Sequence, residues 1–295
     1  MSSTNSAKKM TYVRLGNSGL KVSRFILGLG GVGSKSWQPW AIEEEETIQL
    51  IKAAIYPGPA ADAAGYVNQY GLSRKHIFES IKHSLERLQL DYVDVLQCHR
   101  FDYDTPITET MEALHDVVKA GYARYIGMSS CHAYQFHAMQ NYAINNKLTP
   151  FISMQSQYNL IYREQEREMI PTLKMFGVGM IPWSPLSQGV LSRPYSQTSL
   201  RDKTSFLAAI ANQAKEGNKE IVLRLEKMAK TQGISMAQVA MAWHLSKDTV
   251  TAPIIGAMNL GSLEDTIGAI DVKLTDKEIR HLEEPYIAQA IQAYV

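Results

Sequence analysis

The sequence predicts an α/β fold of the TIM-type (β/α) barrel kind, incomplete at about six of eight core strands and capped by an N-terminal β-hairpin. Three observations carry that prediction. From Ser73 onward, strand-like runs alternate with helix-like stretches, the order that gives a sheet covered by helices. The strand runs are apolar throughout, as parallel strands buried on both faces are. Connections are short and no second composition regime interrupts them, which favours one barrel over a doubly wound sheet. Residues 1–10 are expected to be disordered and residues 11–295 to form a single domain.

Element by element, TYVRLGNSGLKVSR alternates apolar and polar residues around Asn17, Ser18 and Gly19, the pattern of a short hairpin. FILGLG then reads as a buried strand. A Gly-rich loop leads to a helix from Glu43 to Ile55, whose acids Glu43 to Glu46 form a solvated first turn at the positive end of the dipole. The chain next meets Pro57, Gly58 and Pro59, a soft Ala/Gly tract, and a fresh helix start at Ser73. From there we read helix 73–89, strand DYVDVLQCH, helix 108–120, strand RYIGMSS, helix 132–146 and strand FISMQ. Helix 164–175, strand GVGMIPWS, a loop, helices near 219–232 and 235–247, strand APIIGA and a closing pair of helices complete the series.

The count is six core strands, whereas a closed barrel has eight. The 17 residues from Tyr56 to Leu72 cannot hold two strands of about 5 residues, a helix of about 11 and their loops. A strand, helix, strand unit is therefore expected to be absent.

Composition narrows the function classes. Thirty basic residues against 29 acidic give a formal charge of +1, with no basic block or interleaved aromatic stripe, which argues against nucleic acid or an anionic membrane as partner. No apolar run approaches the roughly 18 residues that a membrane span needs, and MSSTNSAKKM lacks the apolar core of a leader. Cys98 and Cys131 are the only cysteines and form no C-x-x-C pair, as in a reducing compartment. The expectation is a cytoplasmic protein with a small-molecule ligand and no metal; the oligomeric state is open.

Several segments together resemble the aldo-keto reductase family, in its aryl-alcohol-dehydrogenase-like branch, best known from fungi. They are RLGNSGLKVSRFILG, LDYVDVLQCHRFD with TPITETMEALHDVVKAGYARYIGMSS, MQSQYNL, IPWSPLSQGVLSR and PIIGAMNLGSLEDT. The resemblance covers nearly the whole chain except residues 56–65 and implies a barrel that binds NADP(H) across the C-terminal ends of its strands and reduces aldehydes or ketones by hydride transfer. In that family an Asp ends the second strand, a Tyr follows shortly after, a Lys ends the third strand and a His ends the fourth. The Tyr protonates the developing alkoxide, the Lys with its Asp lowers the Tyr pKa, and the His orients the carbonyl.

His99 in QCHRFD matches the family's His. The Asp, Tyr and Lys belong to the unit that residues 51–76 lack and have no matching position, since YVNQYGLSRKH resembles the approach to the third helix. Tyr66, four residues after Asp62, is a candidate surrogate acid, with Tyr70 behind it; the alternative is that both are ordinary loop tyrosines. By the same resemblance, Ser129, Ser130 and Gln155 contact the nicotinamide carboxamide and Trp183 stacks on the ring. Ser184, Pro185, Leu186, Gly189, Leu191 and Arg193 match the loop over the pyrophosphate, and Gly256, Asn259, Ser262 and Asp265 follow the adenosine motif. Met258 and Asn259 stand where many members carry a cation for the 2′-phosphate; NADP is kept over NAD because the remaining motif resembles NADP-binding members.

Each residue also has a plainer role: His99 as a hydrogen-bonded strand-end histidine, Trp183 as core, Cys98 as a buried thiol. The other histidines, His76, His83, His115, His132, His137, His244 and His281, are read as structural or surface. The resemblance implies a reductase of aromatic, polyketide-like or terpenoid-like carbonyls in secondary metabolite biosynthesis. The alternatives are a catalytically impaired, nucleotide-binding relative that acts by protein interaction, like the barrel subunits associated with potassium channels, and an incomplete gene product.

Overall fold

The computed structural model of the chain describes residues 10–29, 68–197, 215–257 and 259–291, the side chains of 215–217 apart. The helix expected at Glu43–Ile55, the shortened stretch 56–67 with Asp62 and Tyr66, residues 1–9 and Met258 lie outside the described residues. In chain order the strands are β1 (Tyr12–Arg14), β2 (Lys21–Ser23), β3 (Ile26–Leu27), β4 (Val93–Cys98), β5 (Ala123–Ser129), β6 (Phe151–Gln155), β7 (Gly179–Met180) and β8 (Ile254–Ile255). The helices are α1 (Arg74–Leu88), α2 (Ile107–Lys119), α3 (Ala133–Asn145), α4 (Met169–Phe176), α5 (Lys215–Gln232), α6 (Met236–Leu245), α7 (Leu260–Ile267) and α8 (Asp276–Glu283). No described helix is long and apolar enough to cross a membrane.

The chain divides into two compact units: residues 1–31, 157–164 and 180–289 in the first, and residues 32–156, 165–179 and 290–295 in the second.

In the second unit β4, β5 and β6 run parallel, from Val93 opposite Ala123 to Cys98 opposite Met128, and from Ile126 opposite Phe151 to Ser129 opposite Gln155. The register shifts at Ile126/Gly127. Gly127 is required there: a Cβ would run into the Gln97 amide and the Ser153 hydroxyl, which bond each other at 3.0 Å. Ser73 caps α1 by accepting from the His76 amide, which satisfies one of the helix's orphan donors. The apolar faces of α1 (Ile77, Ile81, Leu85) and α2 (Met111, Leu114, Val117) are buried. From α3, Phe136 stacks on Phe151 of β6, centroids 5.8 Å apart.

In the first unit β1 and β2 form the expected antiparallel hairpin, and β3 lies parallel to β8 with Ile26 opposite Ile254. The Arg24 guanidinium donates to the carbonyls of Leu245, Val250 and Thr251, fixing the end of the hairpin to the approach of β8. Helix α6 is apolar nearly all round and, Gln238 apart, buried from Met236 to His244, as a core helix is.

Two expectations are corrected. A continuous helix over 164–175 would put Pro171 in its interior, removing one backbone bond and clashing with the preceding turn. Instead a 3-10 turn spans Glu164–Glu166 and α4 starts at Met169, leaving Pro171 in the first turn, where its missing N–H costs nothing. GVGMIPWS forms a strand only at Gly179–Met180, because Pro182 cannot donate to a ladder; Met180 bridges Val250 and Trp183 bridges Gln157.

Candidate functional site

On the second unit, the predicted residues gather at the C-terminal ends of β4, β5 and β6. The Ser129 hydroxyl donates to the Gln155 carbonyl at 2.6 Å, and the Ser130 amide donates to the same oxygen at 3.1 Å. The two serine hydroxyls stand 3.3 Å apart and both residues are buried. Ser130 has φ +43°, so the chain turns sharply as β5 ends, and the next residues lead into α3. Beside them the buried Ser156 hydroxyl has no hydrogen-bond partner among the described residues, a donor and acceptor left for something else.

His99 directly follows β4 and is open to solvent. Crowding by surrounding chain and then the neighbouring Arg100 cation lower its pKa, so it is a neutral imidazole at pH 7 and can donate a hydrogen bond without carrying charge. The loop beyond it is organised by Asp102, whose carboxylate accepts from the amides of Leu72 and Asp104 and from the Thr105 hydroxyl. Burial opposes its charged form, but those bonds outweigh it and lower the pKa. Cys98 is buried and its thiol is pushed up to about 12 by desolvation; Cys131 is raised by burial and by Cys98 nearby. Both are protonated packing groups, as the sequence suggested for Cys98.

On the first unit, the loop after β7 carries the second set. Ser184, Ser187, Gln188 and Gly189 all have positive φ, from +46° to +97°, a concentration of left-handed residues that needs external support. That support is specific. The Asn159 amide donates to the Ser184 carbonyl at 3.0 Å, and the amides of Gly189 and Leu191 both donate to the Leu186 carbonyl. Leu191 and Ser187 are buried. Glycine suits the φ of +97° at this position, and the Arg193 guanidinium folds back over it, with Nη1 2.5 Å from where a Cβ would stand.

His244 also reaches this loop, its Nε2 lying 3.2 Å from the Pro185 carbonyl. Sequence reading left it among the structural histidines, and a lone His in an apolar helix carries no signal of a partner 59 residues away. Asn159 was missed for a similar reason, its partner Ser184 lying 25 residues away.

The residues expected at the adenosine end surround the start of α7. Asn259 accepts from the Ser262 amide at 2.9 Å and the Ser262 hydroxyl accepts in return from the Asn259 amide at 3.4 Å, a reciprocal cap. Asp265 accepts from Ser235 at 2.7 Å and its carbonyl from Gln238, tying α7 to α6. Asn259 and Ser262 set where the helix begins. Gly256 has open space where a Cβ would be.

Set beside known proteins, the chain matches the model of the Aldo/keto reductase family over residues 63–287. It is 41% identical over 340 aligned residues to versiconal hemiacetal acetate reductase of Aspergillus parasiticus, covering 96% of this chain and 98% of that protein. The aldo-keto reductase dtxS3 of Metarhizium robertsii is 38% identical over 351 residues (98% and 94% covered), and a putative aryl-alcohol dehydrogenase of Schizosaccharomyces pombe 38% over 347 (96% and 98%). The family is built on a TIM (β/α) barrel, acts on small carbonyl substrates as oxidoreductases and generally uses NAD(P)H. In the second unit the buried Ser156 hydroxyl, which has no hydrogen-bond partner among the described residues, fits a polar group of such a cofactor. Matched by the family model and covered almost end to end by these relatives, the chain belongs to the aldo/keto reductase family.

Proposed function

We propose that the chain is a cytoplasmic, NADP(H)-dependent reductase that interconverts a carbonyl and an alcohol on an aromatic, polyketide-like or terpenoid-like substrate in secondary metabolite biosynthesis. The observation that carries this reading is the buried Ser129–Ser130 pair anchored on Gln155, a polar cluster at the strand ends where the resemblance expects the carboxamide to bind. The name of the Aspergillus relative, a hemiacetal acetate reductase, supports the substrate class. The bound nicotinamide would supply the hydride. Ser129, Ser130 and Gln155 would hold its carboxamide, and Trp183 would present a flat face to the ring. The 184–193 loop and Arg193 would meet the pyrophosphate, while Gly256, Asn259, Ser262 and Asp265 would frame the adenosine end. His99, neutral at pH 7, would donate to the carbonyl oxygen and orient it.

The proton for the developing alkoxide is the open step. Its candidate source is Tyr66, then Tyr70, in place of the family's Tyr with its Asp and Lys. Losing a positioned acid costs on the order of 10²- to 10⁴-fold in rate. One observation favours the second reading, a catalytically impaired nucleotide-binding relative that works by protein interaction. The 340 positions aligned with the Aspergillus protein exceed the 295 residues here, so at least 45 of them stand opposite no residue of this chain. A lost strand, helix, strand unit would be of about that length.

Fluorescence titration with NADPH and NADH, followed in the same cuvette by aromatic aldehydes and quinone-like ketones, tests both. Oxidation of the bound cofactor supports the enzyme, and Tyr66→Phe and Tyr70→Phe then locate the acid. Tight binding with no turnover across the panel favours the second reading. Aggregation without a cooperative thermal transition identifies an incomplete gene product.

A further inference from the structure

His244 is wholly buried, and its ring lies edge-on to both Tyr158 and Trp243, centroids 5.6 and 5.0 Å away. Of its two ring nitrogens, Nε2 faces the Pro185 carbonyl and Nδ1 has no partner among the described residues. A carbonyl only accepts, so Nε2 carries the hydrogen and Nδ1 the lone pair. The neutral ring is the only form that this apolar setting tolerates, and burial pushes its pKa down to about 3 against the Pro185 bond. The unmatched Nδ1 is a standing cost of keeping a histidine here. An apolar side chain of similar size would avoid that cost but would leave the Pro185 carbonyl without its donor. That carbonyl lies between two left-handed stretches, Ser184 and then Ser187 to Gly189, where one lost anchor frees several strained residues together.

We infer that His244 is a positioning residue for the 184–193 loop: by holding the Pro185 carbonyl, it shapes the backbone that receives the anionic, phosphate-bearing part of the dinucleotide before that ligand arrives. This rests on the cofactor reading above for its ligand, but not for its effect on the loop.

The test compares the full chain with His244→Met, which removes the donor, and His244→Gln, which keeps one at a similar reach. In the ligand-free protein, hydrogen exchange over residues 184–193 is expected to quicken about tenfold in His244→Met while α1 to α3 exchange as before. NADPH binding should weaken about tenfold, with His244→Gln within about threefold of wild type on both readouts. Unchanged loop exchange in His244→Met overturns the inference, as does exchange that rises equally everywhere, the mark of a merely structural role. A ¹⁵N spectrum of labelled histidine in the wild type decides independently if His244→Met does not fold: an Nδ1–H tautomer refutes it, an Nε2–H tautomer supports it. If the wild type binds neither NADPH nor NADH, the cofactor reading falls, and loop exchange with the tautomer still decides the role of His244.

Discussion

The strand ends of the second unit and the 184–193 loop of the first carry functional groups in opposite ways. At β4 to β6, each residue is placed by a parallel ladder that fixes it to its neighbours over several residues, and Ser129 meets Gln155 because the whole register says so. In the loop, consecutive residues adopt left-handed conformations that no ladder supports, and single side chains from residues far away in sequence, Asn159 and His244, supply the support. The difference teaches that perturbations should spread through the ladder as lost stability and stay in the loop as lost binding.

The largest expected effect is on the ladder. Phe136→Ala removes a fully buried ring from its stack on β6 and should lower unfolding free energy by about 3–5 kcal/mol, read by denaturant titration, with NADPH affinity of the folded fraction unchanged. A change in affinity as large as the change in stability would break the comparison. Gly189→Ala strains a φ of +97° and drives a Cβ against Arg193; we expect about 1–3 kcal/mol of strain and an NADPH affinity reduced about tenfold or more, measured by the same titration. Wild-type affinity in that variant would show that the loop's shape is not what the ligand reads.

A smaller effect sharpens the contrast at Asp102. Asp102→Ala should cost about 1 kcal/mol at pH 7, since it frees the amides of Leu72 and Asp104. Because the folded pKa lies below the unfolded one, the charge's contribution is complete above the ordinary carboxylate pKa of about 3.9. It fades as pH falls through the lower folded value, so the wild-type advantage in thermal midpoint should shrink there and not rise. The smallest effect is expected at the surface, where Arg224 pairs with Glu220 and Glu284; Arg224→Ala should change stability by less than about 1 kcal/mol and leave binding alone.

Much of the ladder was legible in the sequence. FISMQ became β6 residue for residue, the helix expected over 108–120 is α2 at Ile107–Lys119, and Ser73 caps α1 as its position promised. These follow from local pattern, apolar runs and capping chemistry, which the chain carries within a few residues. The shortened strand at 179–180 and the displaced start of α4 were less legible because single prolines, Pro182 and Pro171, overrode an otherwise continuous apolar pattern. The loop's residues were recognised by resemblance to a motif, but their supports were not, since a contact between His244 and Pro185 leaves no periodic trace.

The two buried thiols give this chain a built-in clock. Cys98 and Cys131 are its only cysteines, and both lie in the second unit, shielded and protonated. A thiol reagent at neutral pH therefore has nothing to modify until that unit opens, and the rate of labelling reads the opening directly. Native-state dynamics of one half of the chain can thus be timed without introducing a probe, while the half that carries the 184–193 loop stays chemically silent.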